Sequence, residues 1–331
     1  RRLSMIFGYF LMGAGFILEG SLPLFWAVAL AQVLWGLGFT FTSGATEAWI
    51  ADEVGDDQAA KAYVRGSQWG NLGALASIPF SVMLGGRGLN LPSLAGGLGL
   101  VLIAFWLMVV MRETGFKPAP PGERSSWRQM VDTMKQARQM TRRRPLLIIL
   151  LAIGLFYGLY SEGLDRLWTP HLLQNFSFPW PEHINLVAWF GIIRAIRLLG
   201  SSISAYVVQK RLDLQSPARI GRVSQMIGVS IVVALFAFAW IPSFWPALVV
   251  FTLIGILRST NYPLQTAWMN ANIDDSQVRA TMFSVQSLTD AVGQTVGGPI
   301  VGVVGNSSIR AALSLSALIL APVVPLYNLA L

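Results

Sequence analysis

Three ionisable residues sit inside otherwise apolar stretches at depths where a bare charge is strongly unfavourable. Counted at about 1.5 Å per helical residue, Arg194 lies roughly 15 Å into its stretch, Arg258 about 20 Å and Asp290 about 15 Å. Each belongs to a polar stripe. Arg194, Arg197, Ser201 and Ser204 are spaced i, i+3, i+7, i+10; Arg258, Asn261 and Gln265 are spaced i, i+3, i+7; Gln286, Asp290, Gln294 and Gly297 are spaced i, i+4, i+8, i+11. Such faces turn toward a wet cavity or toward one another. An arginine fork can hold a carboxylate or phosphate through two hydrogen bonds, whereas an aspartate can carry a proton or gate access. One reading makes Arg194, Arg258, Asn261, Gln265 and Gln286 contacts for a bound solute, with Asp290 and Arg197 in coupling or gating. Its rival is a buried ion pair, Asp290 with Arg258 or Arg194, that only locks helices together.

Other groups stand near the ends of apolar stretches. Glu162 and Arg166 are spaced i, i+4, which predicts a local helix pair, and Asp165 beside them is the alternative gate or proton carrier. Tyr157 and Tyr160 on the same stretch are positioned to stack on a ligand or simply to pack. Glu47 shares a face with Gln32, Ser43 and Thr46, which makes it a gate or proton-site candidate, with a hydrated helix cap as the plain alternative.

The elements that must position these residues are legible from hydropathy. About ten apolar stretches approach the length that crosses a bilayer as a helix. They run Leu3 to Leu18, Leu22 to Ser43, Val64 to Leu84, Leu91 to Met111, Leu146 to Leu164, Ile184 to Val208, Ile220 to Ile241, Trp245 to Trp268, Ala280 to Val304 and Ile309 to Leu331. Mean hydropathy is +0.56 and charged residues are only 12%, about half the share of a soluble domain. Lipid offers no partner to a backbone polar group, and no alternating barrel pattern is present, so the stretches are expected to be helices. The expected fold class is an all-α polytopic membrane bundle.

Lysine and arginine set the orientation. One side collects Arg1, Arg2, Lys61, Arg65, the basic residues from Arg112 to Arg144, Lys210, Arg211, Arg219, Arg222 and Arg279. The other keeps Arg87, Arg166 and Arg310. The basic side is therefore assigned to the cytoplasm, with a plasma (inner) membrane location expected. The net charge of +8 reflects this topology and contact with lipid headgroups, so no nucleic-acid partner is inferred. The chain has no cysteine, and His171 and His183 form no metal-ligand spacing with carboxylates, so neither a disulfide nor a metal is expected. No nucleotide-binding loop or nucleophile triad is present, which leaves ATP-driven pumping and covalent catalysis unsupported; no cofactor is implied. The tryptophans Trp168, Trp180, Trp240 and Trp245 read as anchors at the external interface.

The longest polar stretch, Glu113 to Arg144, divides the chain. It contains Pro118, Pro120, Pro121 and Gly122, then Trp127 to Met140, a segment that would form a basic amphipathic surface helix. The expected organisation is residues 1–112 as one bundle, 113–144 as a cytoplasmic basic linker and 145–331 as a second bundle. A repeat crosses this divide. Ala48-Trp49, Asp56-Asp57-Gln58 and Val64-Arg65-Gly66 correspond to Ala267-Trp268, Asp274-Asp275-Ser276-Gln277 and Val278-Arg279-Ala280, which is the trace that parallel repeats leave.

In this register the chain resembles the major facilitator superfamily. Arg1-Arg2 look like the tail of its basic motif before helix three, Arg112-Glu113-Thr114 like the charged sequence after helix six, and Gly298-Pro299 like a kink in helix eleven. The resemblance implies two six-helix bundles of which the chain begins just before helix three, the first two helices being absent from its front. It further implies secondary active transport of a small organic solute by alternating access, with protons as candidate coupling ions and no enzymatic activity. Gln32 stands where the drug-proton antiporters of the family have an arginine, upstream of Gly36-Leu37-Gly38, which argues against that subclass. The excess of Arg194, Arg197 and Arg258 over Asp290 leans weakly toward an anionic substrate. A membrane-embedded enzyme using Glu162, Asp165 and His171, or a non-transporting sensor or scaffold using the basic linker, is the alternative. Because the chain lacks cysteine, single cysteines at positions 120 and 180 should react with an impermeant thiol reagent from opposite membrane faces; labelling of both from one face would contradict the topology.

Overall fold

The computed structural model describes residues 1–43, 45–115, 135, 145–180, 182–211, 216–271 and 276–331. Helices dominate, and no strand occurs among the described residues. They are α1 (Arg2–Ser21), α2 (Phe25–Thr42), α3 (Ala45–Val54), α4 (Asp56–Gly85), α5 (Leu91–Val110), α6 (Pro145–Asn175), α7 (Leu186–Arg211), α8 (Pro217–Trp240), α9 (Phe244–Ala271), α10 (Ser276–Ser307), α11 (Ile309–Leu320) and α12 (Val323–Ala330).

Eight stretches among the described residues are long and apolar enough to cross a membrane, counting Ile309–Ala330 as one. The chain is a polytopic α-helical membrane protein. Two sequence-expected spans, α4 and α10, are helices of 30 and 32 residues that fall outside those eight. Their polar content explains it: α10 carries the Gln286, Asp290, Gln294 stripe, and only Leu72–Gly85 of α4 is apolar. Two further details differ from the sequence expectation. Residues 45–54, expected as a span end and loop, form α3, and Gly55 with φ of 79° then turns the chain into α4. The last span is two helices, α11 and α12, with Pro322 at the break.

The chain divides into two compact units. The first comprises Arg1–Arg124 with Pro181–Ala195, the second Ser125–Trp180 with Ile196–Leu331. In the first, α1 packs against α2 and α5 through glycines. A Cβ on Gly8 would lie 2.7 Å from the Gly38 carbonyl, and one on Gly13 would lie 2.8 Å from that of Gly97. The start of α7 joins this unit because Val187 packs on Gly85 and Val82 on Gly191.

On the first unit's polar end, Trp49 Nε1 donates to the Arg112 carbonyl at 2.8 Å. Glu53 then accepts from the Thr114 amide at 2.6 Å, the Thr114 hydroxyl at 2.7 Å and the Gly115 amide at 2.9 Å. The Gly115 amide, the Thr114 hydroxyl and the Thr114 amide favour the charged form and hold the Glu53 carboxyl below its ordinary value.

In the second unit, α6 is central and packs on α10, α11 and α12, while α8 packs on α9, α11 and α12. The small-residue pair Gly293 and Gly297 brings α10 onto α6. A Cβ on Gly293 would meet the Leu155 carbonyl at 2.5 Å, and one on Gly297 would collide with the Leu159 carbonyl. Gly66 and Gly70, at the same i, i+4 spacing on α4, have open space where a Cβ would project.

Two outcomes follow. Gly293→Leu should destabilise the protein by about 1–3 kcal/mol through overpacking, measured by thermal unfolding in detergent, whereas Gly70→Leu should be nearly silent. The Glu53 clasp should be fully present above the carboxyl's unfolded-state pKa and be lost only as pH falls through the lowered folded value. Amide exchange at Thr114 and Gly115 measured against pH should report that loss, and Glu53→Gln should remove the pH dependence.

Candidate functional site

Polar stripes on α6, α9 and α10, with Arg197 of α7, enclose a cavity of about 500 Å³ wholly within the second unit, in the size range of small-molecule sites. α9 contributes Arg258, Asn261 and Gln265 at the expected i, i+3, i+7 spacing, joined by Tyr262 and Thr266. α10 contributes Gln286, Asp290 and Gln294, and α6 contributes Tyr157, Tyr160, Ser161 and Asp165.

Arg258 is fixed from two directions. Its Nη1 donates to Asp165 Oδ1 at 2.6 Å and its Nη2 to Asp165 Oδ2 at 2.8 Å, a two-pronged pair across 93 residues of sequence. Its guanidinium also lies 5.6 Å from the centre of the Tyr160 ring. The partner is therefore Asp165, and not Asp290 as the rival reading of the sequence had it. Asp290 instead accepts from Gln294 Nε2 at 2.8 Å, one turn along its own helix. Arg197 lies over the Phe251 ring at 5.0 Å and against Gly255, where any larger residue would occupy the guanidinium's space.

The remaining sequence candidates fall elsewhere. Arg194 is exposed, lies in the first unit and does not line the cavity. Its stripe companions Ser201 and Ser204 knit α7 to α9 through Ser259 and Thr260, each at 2.7 Å. Glu162 accepts from Arg166 Nε at 3.1 Å, the local pair its spacing predicts, and neither residue lines the cavity. Glu47 belongs to α3, and its side chain lies outside the described residues, as does the Trp127 to Met140 segment apart from Lys135. His171 is buried beside the Phe238 carbonyl at 3.0 Å and Phe176. Among the described residues no cluster of metal-ligating side chains occurs.

Sequence reasoning missed several members of the wall. Tyr262 and Thr266 stand at i+4 and i+8 from Arg258, so extending that stripe would have found them. Tyr327 of α12 stands behind the wall, where its hydroxyl accepts from Gln265 Nε2 at 3.1 Å, and it left no signal because its helix is short and apolar.

The arrangement of helices is the fold of the major facilitator superfamily transporters. No family model matches the chain. It is similar to an MFS-type transporter of Bacillus subtilis, YxaM, at 21% identity over 289 residues, covering 87% of this chain and 68% of that protein. Among solved structures, a point mutant of the nucleoside transporter NupG aligns with a TM-score of 0.76 at 12% identity, covering 99% of this chain and 83% of NupG. A bacterial homolog of the human lysosomal transporter Spinster, inward-facing and unoccupied, aligns with a TM-score of 0.71 at 16% identity over 100% of this chain and 82% of that one.

The Arg258–Asp165 pair sets a sharp expectation. Arg258→Gln should lower stability by about 1 kcal/mol, a modest figure because the aspartate is 48% exposed. Adding Asp165→Asn should restore most of that loss, whereas adding Asp290→Asn should not; a thermal-unfolding double-mutant cycle measures both couplings.

Proposed function

We propose that this protein is a secondary transporter that moves a small organic solute across a membrane by alternating access, and not an enzyme. The observation that carries this reading is a polar, ion-paired cavity built on helices of membrane-crossing length. Water or a solute must fill such a space, since lipid would leave its donors and acceptors unpartnered. Arg258, Asn261, Gln265, Gln286 and Tyr157 are the proposed solute contacts, with Asp290, Asp165 and Arg197 in coupling or gating. The resemblance to YxaM, NupG and the Spinster homolog supports the same reading at the level of the fold. In the proposed organisation, residues 1–112 and 145–331 form the two bundles and 113–144 is a cytoplasmic linker in the plasma membrane. Glu47 and Glu162 keep their proposed gating roles outside the cavity wall, whereas Arg194, which does not line it, is not carried forward as a solute contact.

The lean toward an anion is weakened by the geometry of the wall. Asp165 occupies the Arg258 fork and Arg194 lies outside the lining, which leaves two arginines, Arg197 and Arg258, against two aspartates, Asp165 and Asp290. The enzyme reading loses its trio in the same way: Asp165 is engaged with Arg258, Glu162 with Arg166, and His171 is buried in aromatic packing.

The test is uptake by the full-length protein in proteoliposomes, using a radiolabelled panel of sugars, nucleobases, amides and hydroxy acids. Time-dependent accumulation inside the vesicles is expected, and chemical conversion of a solute without movement would contradict transport. Proton coupling adds a second expectation. Asp290→Asn should abolish accumulation driven by an imposed pH gradient while leaving solute exchange across the membrane intact.

A further inference from the structure

Where Tyr157 and Asn261 line the cavity they meet Tyr327 and Ser224 behind the wall, and four side-chain oxygens gather within interaction range of one another. Tyr157 neighbours Asn261 and Tyr327, and Tyr327 neighbours Ser224. Only Tyr327 has a well-placed partner, Gln265. The Tyr157 hydroxyl, the Ser224 hydroxyl and the Asn261 side-chain oxygen are buried with no group aligned to hydrogen-bond them. Asn261 is only 2% exposed, yet it forms part of the cavity wall. A buried polar atom left unpartnered costs about 1–3 kcal/mol, so the two on the cavity wall, at Tyr157 and Asn261, point to something that enters and supplies the missing bonds.

We infer that Asn261 and Tyr157 form a recognition subsite for an uncharged hydrogen-bonding group, a hydroxyl or an amide, on a neutral solute. The inference rests on the transporter reading and names the substrate class of that site. Three features select against a charged group. Both orphaned groups are neutral: the Asn261 side-chain oxygen accepts and the Tyr157 hydroxyl donates or accepts, a pair that matches a hydroxyl or an amide N–H on the solute. The arginine nearest to them along α9, Arg258, already has both prongs on Asp165. An anion bound at that fork would have to displace a carboxylate, and Asp290, the wall's other acid, is assigned to proton coupling and lies on α10 beside Gln294. Tyr262 on the wall, 75% exposed, offers a flat face for the rest of the solute.

Binding to the purified full chain, followed by ligand-induced thermal shift, tests this with three pairs that differ in charge: glucose against gluconate, uracil against orotate, and lactamide against lactate. The neutral member of at least one pair should bind at least tenfold more tightly than its anion. Asn261→Ala and the conservative Tyr157→Phe should each weaken that binding by about tenfold, one hydrogen bond's worth. Preference for the anion in every pair that binds, or binding by none of the neutral members, overturns the inference. So does unchanged neutral binding in both variants with a lowered unliganded melting temperature, which would mark the cluster as a structural water site. Uptake in proteoliposomes separates the two levels: accumulation of anions with no need for Asn261 sinks the substrate class and leaves transport standing, whereas no accumulation of any solute sinks transport.

Discussion

A guanidinium among membrane-spanning helices has to be met by an opposite charge or by water, and in this protein that requirement organises the second unit. Arg258 sits halfway along α9, where the sequence supplies no acid within reach on the same helix. Its partner comes from α6, and the pair bridges those two helices beside the cavity. Around that bridge, Tyr160 lies against the guanidinium, Tyr157 and Asn261 face each other deeper in, and the α10 stripe closes the third side. The glycines of α10 make the closure possible, because Gly293 and Gly297 let its backbone approach that of α6 where a larger residue would hold the stripe away.

Charge balance follows from the same pairing. With Arg258 neutralised locally, the wall carries equal numbers of arginines and aspartates, and its unfulfilled bonding capacity resides in uncharged groups. A site of this kind discriminates by hydrogen-bond pattern more than by net charge. A solute lacking the expected hydroxyl or amide would leave buried groups unpartnered, which is the strongest form of rejection a neutral site can exert.

Much of this was legible in the sequence, for physical reasons that also mark where legibility ends. Lipid demands long apolar helices, so hydropathy located them, and the polar stripes on α9 and α10 identified residues that line the cavity, because periodicity fixes which side chains share a helical face. Periodicity says nothing about which helix that face meets. Asp165 therefore stayed a candidate gate while Asp290 was set against Arg258, although the two carboxylates lie on different helices around the same guanidinium. A stripe is also broad. Arg194 and Arg197 are three residues apart, about 60° around the helix, and only Arg197 reaches the cavity wall. The short α3 escaped notice because 45–54 carries neither a long apolar run nor a strong capping signal, and Tyr327 escaped because an apolar helix end announces packing, not chemistry.

The central claim is that these polar faces enclose a solvent-filled path for a solute. The most direct measurement is the reactivity of a single cysteine at Gln286, on the cavity wall, toward a membrane-impermeant thiol reagent added from each side in turn. The account expects modification from both sides in the resting ensemble, with a cysteine at Val249, an exposed apolar position of α9 away from the cavity wall, inert as the reference. A Gln286 cysteine as unreactive as the Val249 one from both sides would contradict it and leave the ion pair a purely structural lock.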